Sequence, residues 1–210
     1  FIAFASLNFL LPFYLIRGLG LPASQAGMLA ALSPAVRIVV GPWSGWLSDK
    51  VGSRPLTVTG LALTSAGLYF MAHLGVNSSL AQVIPPFLLA SLGFAIFEPP
   101  NSSAIMGAVP RDRLGTGSAM VGIARQTGMT LGIAAAGSLL ASRQVTHLAQ
   151  MPASLEPAEA SRQALVMGYQ DTILLGVFAA SLGIIAALLT RGRVQPSETS
   201  GGTAQARQRP

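Results

Sequence analysis

The chain has 210 residues, with 13 Lys and Arg against 7 Asp and Glu, a formal charge of +6. Charged residues make up 10% of it and hydrophobic residues 51%, with mean hydropathy +0.57. Soluble domains carry about 25% charged residues, so this composition excludes a soluble enzyme and points to an all-α integral membrane protein. The basic residues are scattered between apolar runs rather than gathered on a polar face, so they read as topology determinants and no nucleic-acid partner is expected. The absence of cysteine removes disulfides, thiol chemistry and cysteine metal sites together.

Six apolar segments follow one another, each near the ~20 residues that span hydrocarbon. Phe1 opens inside the first, 1–16, with no basic n-region or cleavage site, so the chain is expected to begin within a helix. Asn8 and Pro12 interrupt this segment, and Phe13 and Tyr14 are placed at the membrane interface as aromatic anchors. A glycine-rich loop leads to the second segment, 25–47, with Ser24 as its N-cap. The third is 56–74. The fourth, 83–109, carries Pro85-Pro86 at its start and Pro99-Pro100 in its middle. The fifth is 114–142, and a polar stretch, 143–168, separates it from the sixth, 169–190. Residues 1–190 thus form a six-helix transmembrane unit. The tail, 191–210, has nothing to bury and is expected to be disordered.

Orientation follows from the basic residues between segments. Lys50, Arg54, Arg111, Arg113, Arg191, Arg193, Arg207 and Arg209 lie on one side, and Arg17, Arg143 and Arg162 on the other. The richer side, with the tail, is expected to be cytoplasmic. Arginine supplies all the basic residues but Lys50, and alanine and glycine abound, a pattern suggesting a bacterial gene and a bacterial cytoplasmic (inner) membrane.

The turn between the second and third segments, 45–56, reads Gly-Trp-Leu-Ser-Asp-Lys-Val-Gly-Ser-Arg-Pro-Leu. Gly45, Leu47, Asp49, Gly52 and Arg54 stand at the spacing G-x-L-x-D-x-x-G-x-R. Gly45 permits close helix approach and Gly52 a turn that a Cβ would oppose. This resembles the cytoplasmic loop motif of the major facilitator superfamily of secondary transporters, carried between the second and third helices of each six-helix half. A further stretch runs from Glu98-Pro-Pro-Asn-Ser-Ser through Pro110-Arg-Asp-Arg-Leu-Gly-Thr-Gly. With Ala124-Arg-Gln-Thr-Gly and Leu131-Gly-Ile-Ala, it is similar to the last helices of the fourteen-helix drug:proton antiporter branch.

The resemblance implies the C-terminal half of such a transporter, with a missing N-terminal half as partner. The implied function is proton-coupled efflux of drug-like amphipathic, cationic compounds by alternating access, with no cofactor and no covalent chemistry. Two departures bear on it. Pro55 stands where the motif often has a further basic residue, and the antiporter signature G-x-x-x-G-P-x-x-G-G is absent, echoed only by Gly128 and Gly132. The alternatives are a metabolite or organic-anion carrier of the same fold, in which Arg37 and Arg125 bind the anion, and a non-transporting membrane half. No G-x-x-x-x-G-K-[ST] phosphate loop supports ATP-driven pumping.

Arg37, Glu98 and Arg125 lie deep within apolar segments, about 16–18 Å of helix from their ends. A charge there costs roughly 2.5–3.5 kcal/mol even on the gentler insertion scale, so it faces a cavity or a partner. Mutual neutralisation that only fixes packing and a proton-coupling, cavity-lining role both fit. Pro99 and Pro100 free the carbonyls of Ala95 and Ile96, and a broken helix beside an acid is a common way to build a membrane site. Arginine movement could then switch Glu98 between holding and releasing a proton. Asp49 is expected to reach the N–H groups at the start of the fifth segment, near Leu114, when the cytoplasmic side closes.

Gly41 with Gly45, Gly128 with Gly132, and Ala179, Gly183 and Ala187 have the small-xxx-small spacing of packing seams. His73 and His147 have no second ligand at metal spacing and are expected to be interfacial. Asp171 reads as a helix N-terminal acid, and Glu156 and Glu159 as solvated loop charges.

Overall fold

The computed structural model describes residues 1–152 and 154–189; the tail expected to be disordered lies outside the described residues. The described residues form a bundle of six α-helices: α1 Ile2–Phe13, α2 Ala23–Val51, α3 Ser53–Met71, α4 Leu80–Gly107, α5 Leu114–Ala149 and α6 Pro157–Leu189. α2, α4 and α6 are each long and apolar enough to cross a membrane.

Each expected segment is a helix, but the boundaries move for identifiable reasons. α1 runs through Pro12 and ends in one π-helical turn, Tyr14–Gly18. α2 begins after Pro22, with no side-chain cap from Ser24, and continues to Val51, so Asp49 and Lys50 are helical. The turn shrinks to Gly52, whose φ of 87° and ψ of 154° favour a residue without Cβ. α3 starts at once with Ser53, and Pro55 falls in its first turn, where the missing N–H costs no helix bond. α4 is opened by Ser79 and Gln82, each side chain bonding the other's backbone N–H.

The largest difference concerns 143–168. α5 continues to Ala149, and α6 starts at Pro157. At 36 and 33 residues these helices are about 50 Å long, well beyond the ~30 Å of hydrocarbon, so their polar ends need not be apolar to stay helical. Asp171 is therefore mid-helix rather than N-terminal. Its carboxylate lies 2.9 Å from His147 Nε2 and 3.7 Å from Arg143 Nε, tying α6 to α5.

α4 packs most extensively on α3 and then on α2; α6 packs on α5 and α3, and α1 on α5 and α6. The α3–α4 contact is the tightest. A Cβ on Gly93 would come within 2.4 Å of the Thr64 amide nitrogen, and one on Gly67 within 2.4 Å of that of Ala90. Among the expected seams, Gly132 packs against the Ile2 backbone, with 2.6 Å from a hypothetical Cβ to its carbonyl oxygen, whereas Gly41 has nothing within 4 Å.

At the end where α1 meets α2, Tyr14 is fully buried, stacked on Tyr169 at 4.5 Å, and donates to the Gly75 carbonyl at 2.9 Å. It is a core residue, not an interfacial anchor. Phe13 also packs on the core. Arg162 donates to the carbonyls of Gly18 and Val76, and Gln170 to that of Leu74, so α6 holds both loops at this end. Glu159, in the first turn of α6, pairs with Arg162 at 3.5 Å.

Large apolar side chains cover the outside of the bundle. Ile38, Trp43, Met120, Ile123 and Phe178 are all more than 60% exposed. Exposed apolar surface on this scale is what a bilayer or a partner covers.

Candidate site at mid-bundle

Arg37 stands fourteen residues from each end of α2, Glu98 on α4 and Arg125 on α5. The carboxylate expected to pair with one of the two arginines meets both. Arg37 donates through one terminal nitrogen to Glu98 Oε2 at 2.5 Å, and Arg125 donates through one terminal nitrogen to Oε1 at 3.4 Å. Glu98 is 15% exposed, against 40% for Arg37 and 49% for Arg125, so the carboxylate lies behind two more open cations. α4 and α5 touch only lightly, and Arg125 reaches Glu98 across that gap.

The local sequence builds this arrangement. Phe94 precedes Glu98 by four residues and so shares its face of α4. The Arg37 guanidinium sits over the Phe94 ring, 5.4 Å from its centre, and Phe94 stacks on Phe4 at 3.7 Å. Arg37 is thereby braced from one side and paired from the other.

The expected break at Pro99-Pro100 does not occur: α4 is helical throughout. Pro100 has no N–H for the Ile96 carbonyl, and the buried Ser44 hydroxyl donates to that oxygen instead, at 2.7 Å. Ser44 and Phe94 escaped the sequence reading. Both were legible as residues seven past Arg37 and four before Glu98, the spacings of a shared helix face.

A cavity of about 410 Å³ opens on the pair, walled by Pro34, Ile38, Gly41, Ala95 and Pro99. A second groove of about 560 Å³, lined by Val36, Val39, Leu88 and Leu92 among others, is wholly apolar. Residues 36 and 39 point away from 34, 37 and 41 around α2, so this groove is separate from the charged cavity.

The loop motif lies at the end opposite the Arg162 staple. Arg54 donates to the carbonyl of Leu188, capping the C-terminal end of α6. Lys50 lies over the Trp46 ring at 3.9 Å, and Ser48 bonds Ser53 across Gly52 at 3.0 Å. Gly45 faces Pro99, with 4.0 Å from a hypothetical Cβ to that ring, and Leu47 is exposed. Asp49 is exposed and makes no hydrogen bond or ion pair among the described residues, so the expected contact with the start of α5 is not formed here. Among the described residues no group of three His, Cys, Asp or Glu could hold a metal.

Comparison with known proteins gives the family. Residues 1–208 match the model of the Major Facilitator Superfamily. An uncharacterized transporter of Escherichia coli, YebQ, is 33% identical over 69% of this chain and 32% of its own length. The riboflavin transporter RibZ of Clostridioides difficile is 31% identical over 65% of this chain and 30% of its own, and the lincomycin resistance protein LmrB of Listeria monocytogenes 24% over 91% and 40%. The chain therefore spans about a third of the length of the curated relatives it matches. The solved structure of a bacterial homologue of human drug peptide transporters superposes with a TM-score of 0.63, at 16% identity, over 86% of this chain and 38% of that one, a likeness of fold. The chain is an integral membrane protein, not an enzyme, and it belongs to the Major Facilitator Superfamily.

Proposed function

We propose that this chain acts as the C-terminal half of a secondary transporter that exports drug-like amphipathic compounds by alternating access, with Glu98 as the acid that carries the coupling proton. The observation behind the reading is the meeting of Arg37, at the middle of α2, with Glu98 and Arg125 beside an open cavity. Ionisable groups at that depth are costly and mark substrate and proton paths. Arg125 approaches Glu98 across the lightly packed α4–α5 gap, so a small displacement of α5 separates the two charges. The lincomycin resistance protein among the relatives favours the drug-like class; the riboflavin transporter is why the assignment stays at amphipathic small molecules.

In this reading an N-terminal half covers the exposed apolar faces and completes the cavity. The α2–α3 turn faces the cytoplasm of a bacterial inner membrane, as the charge count indicates. Gly45, Leu47, Asp49, Gly52 and Arg54 form the gating turn, with Asp49 meeting its partner only in another conformation of the complete transporter.

The test is efflux from inverted membrane vesicles containing the full-length protein, using dyes of positive, zero and negative charge. The reading expects energised uptake of one dye class that a protonophore abolishes. Uptake insensitive to the protonophore would contradict proton coupling.

A further inference from the structure

We propose that the Arg37–Glu98–Arg125 cluster binds the negative head group of an amphipathic anion. The proposal rests on the reading of this cluster as the transport site and sets the chemical class of its substrate.

The charge of the cluster does not close. Two guanidinium groups face one carboxylate, leaving one positive charge at mid-bundle. Each guanidinium spends a single nitrogen on Glu98, Arg37 on one oxygen and Arg125 on the other. A guanidinium carries five N–H donors in a planar fork, so both arginines keep most of their donors.

Exposure sorts the charges the same way. The two cations are 40% and 49% exposed, while the carboxylate between them is 15% exposed. Arg37 and Glu98 both line the cavity and Arg125 reaches Glu98 from α5, so a molecule entering the cavity meets a cluster whose excess charge is positive. A cationic head would add to the positive excess of the cluster, whereas one anion brings it to neutrality. Neutrality matters for transport, because a site that is occluded in low dielectric tolerates a balanced charge far better than an excess.

The rest of the cavity is apolar: Pro34, Ile38, Ala95 and Pro99 flank the pair. These walls suit the hydrophobic body of an amphipath. Arg37 is held over Phe94, which is buried against Phe4, so its fork is positioned before any ligand arrives. The anion that the charge balance requires is a carboxylate or similar group on an apolar body, either free in solution or as the head group of an anionic lipid. The cationic drug expected from the sequence is the class this balance disfavours.

The test compares two probes with the same apolar body, 2-naphthylacetate and (2-naphthylmethyl)trimethylammonium. Binding is measured by calorimetry on the full-length protein in phosphatidylcholine nanodiscs. The carboxylate is expected to bind at least about tenfold tighter than its cationic twin, the loss of one charge-assisted contact costing about as much. Arg125→Gln and Arg37→Gln should each erase most of that preference, while Glu98→Gln keeps or strengthens it. Repeating the titration with phosphatidylglycerol in the nanodisc separates the two sources. Unchanged binding assigns a free anion, and loss of probe binding assigns a lipid head group; both support the proposal.

Tighter binding of the cationic probe, abolished by Glu98→Gln, would overturn the anion class while leaving the transport site in place. If variants that melt like the wild type leave both probes unaffected, the cluster is not the binding site, and that part of the proposed function falls as well.

Discussion

The Ser44 hydroxyl on α2 donates to the carbonyl of Ile96 on α4 at 2.7 Å, the oxygen that Pro100 leaves without a helical donor. This one contact keeps α4 regular two residues before Glu98. Ser44→Ala strands a carbonyl beside the site and should cost about 1–3 kcal/mol of stability. Thermal unfolding of the full-length protein in detergent measures it. Pro100→Ala returns the donor, so the double variant should lose less than the sum of its parts.

Gly93, like Gly67, lies where the α3 and α4 backbones approach most closely. Gly93→Ala would push a Cβ against the Thr64 nitrogen and hydroxyl, neither of which can retreat without moving the helix backbone or breaking the hydroxyl's bond to the Gly60 carbonyl. Destabilisation of about 1–3 kcal/mol or more is expected. The same melting assay reads it, and a variant as stable as the wild type would contradict the helix crossing.

Arg54 belongs to the loop motif, but in this structure it acts on α6, capping the carbonyl of Leu188. Arg54→Ala should therefore raise amide exchange in the last turns of α6 while leaving the first turns protected. Equal exchange at both ends in wild type and variant would leave Arg54 to the loop alone.

Asp171, near the middle of α6, joins His147 and Arg143 at the extended end of α5. Its carboxylate is 35% exposed, so Asp171→Asn should cost only about 0.5–1 kcal/mol. The sign of its role is spatial: faster amide exchange around 143–149, with the α3–α4 contact unchanged.

The six helices, the mid-bundle depth of Arg37, Glu98 and Arg125, and the family were legible because membrane composition and an intramembrane charge leave few physical options. The ends of α5 and α6 were not, since a search for apolar runs stops where a helix leaves the hydrocarbon. Asp171 was misplaced for that reason, and its pairing with His147 went unseen. Pro99-Pro100 suggested a broken helix because the sequence of α4 alone does not show that Ser44, on another helix, supplies the missing donor. Tyr14 looked like an interfacial anchor until α6 was known to bring Tyr169 against it. For Ser44 and Tyr169 the deciding contact crosses between helices far apart in sequence.

In the proposed function Glu98 couples a proton to the movement of an amphipathic compound. The most direct measurement reconstitutes the full-length protein in liposomes with an imposed pH gradient and follows internal pH as amphipathic dyes of each charge are added. One dye class is expected to move protons in the wild type, while Glu98→Gln still binds this dye but moves no protons. Dye transport without proton movement, or proton movement unchanged in Glu98→Gln, would contradict this coupling.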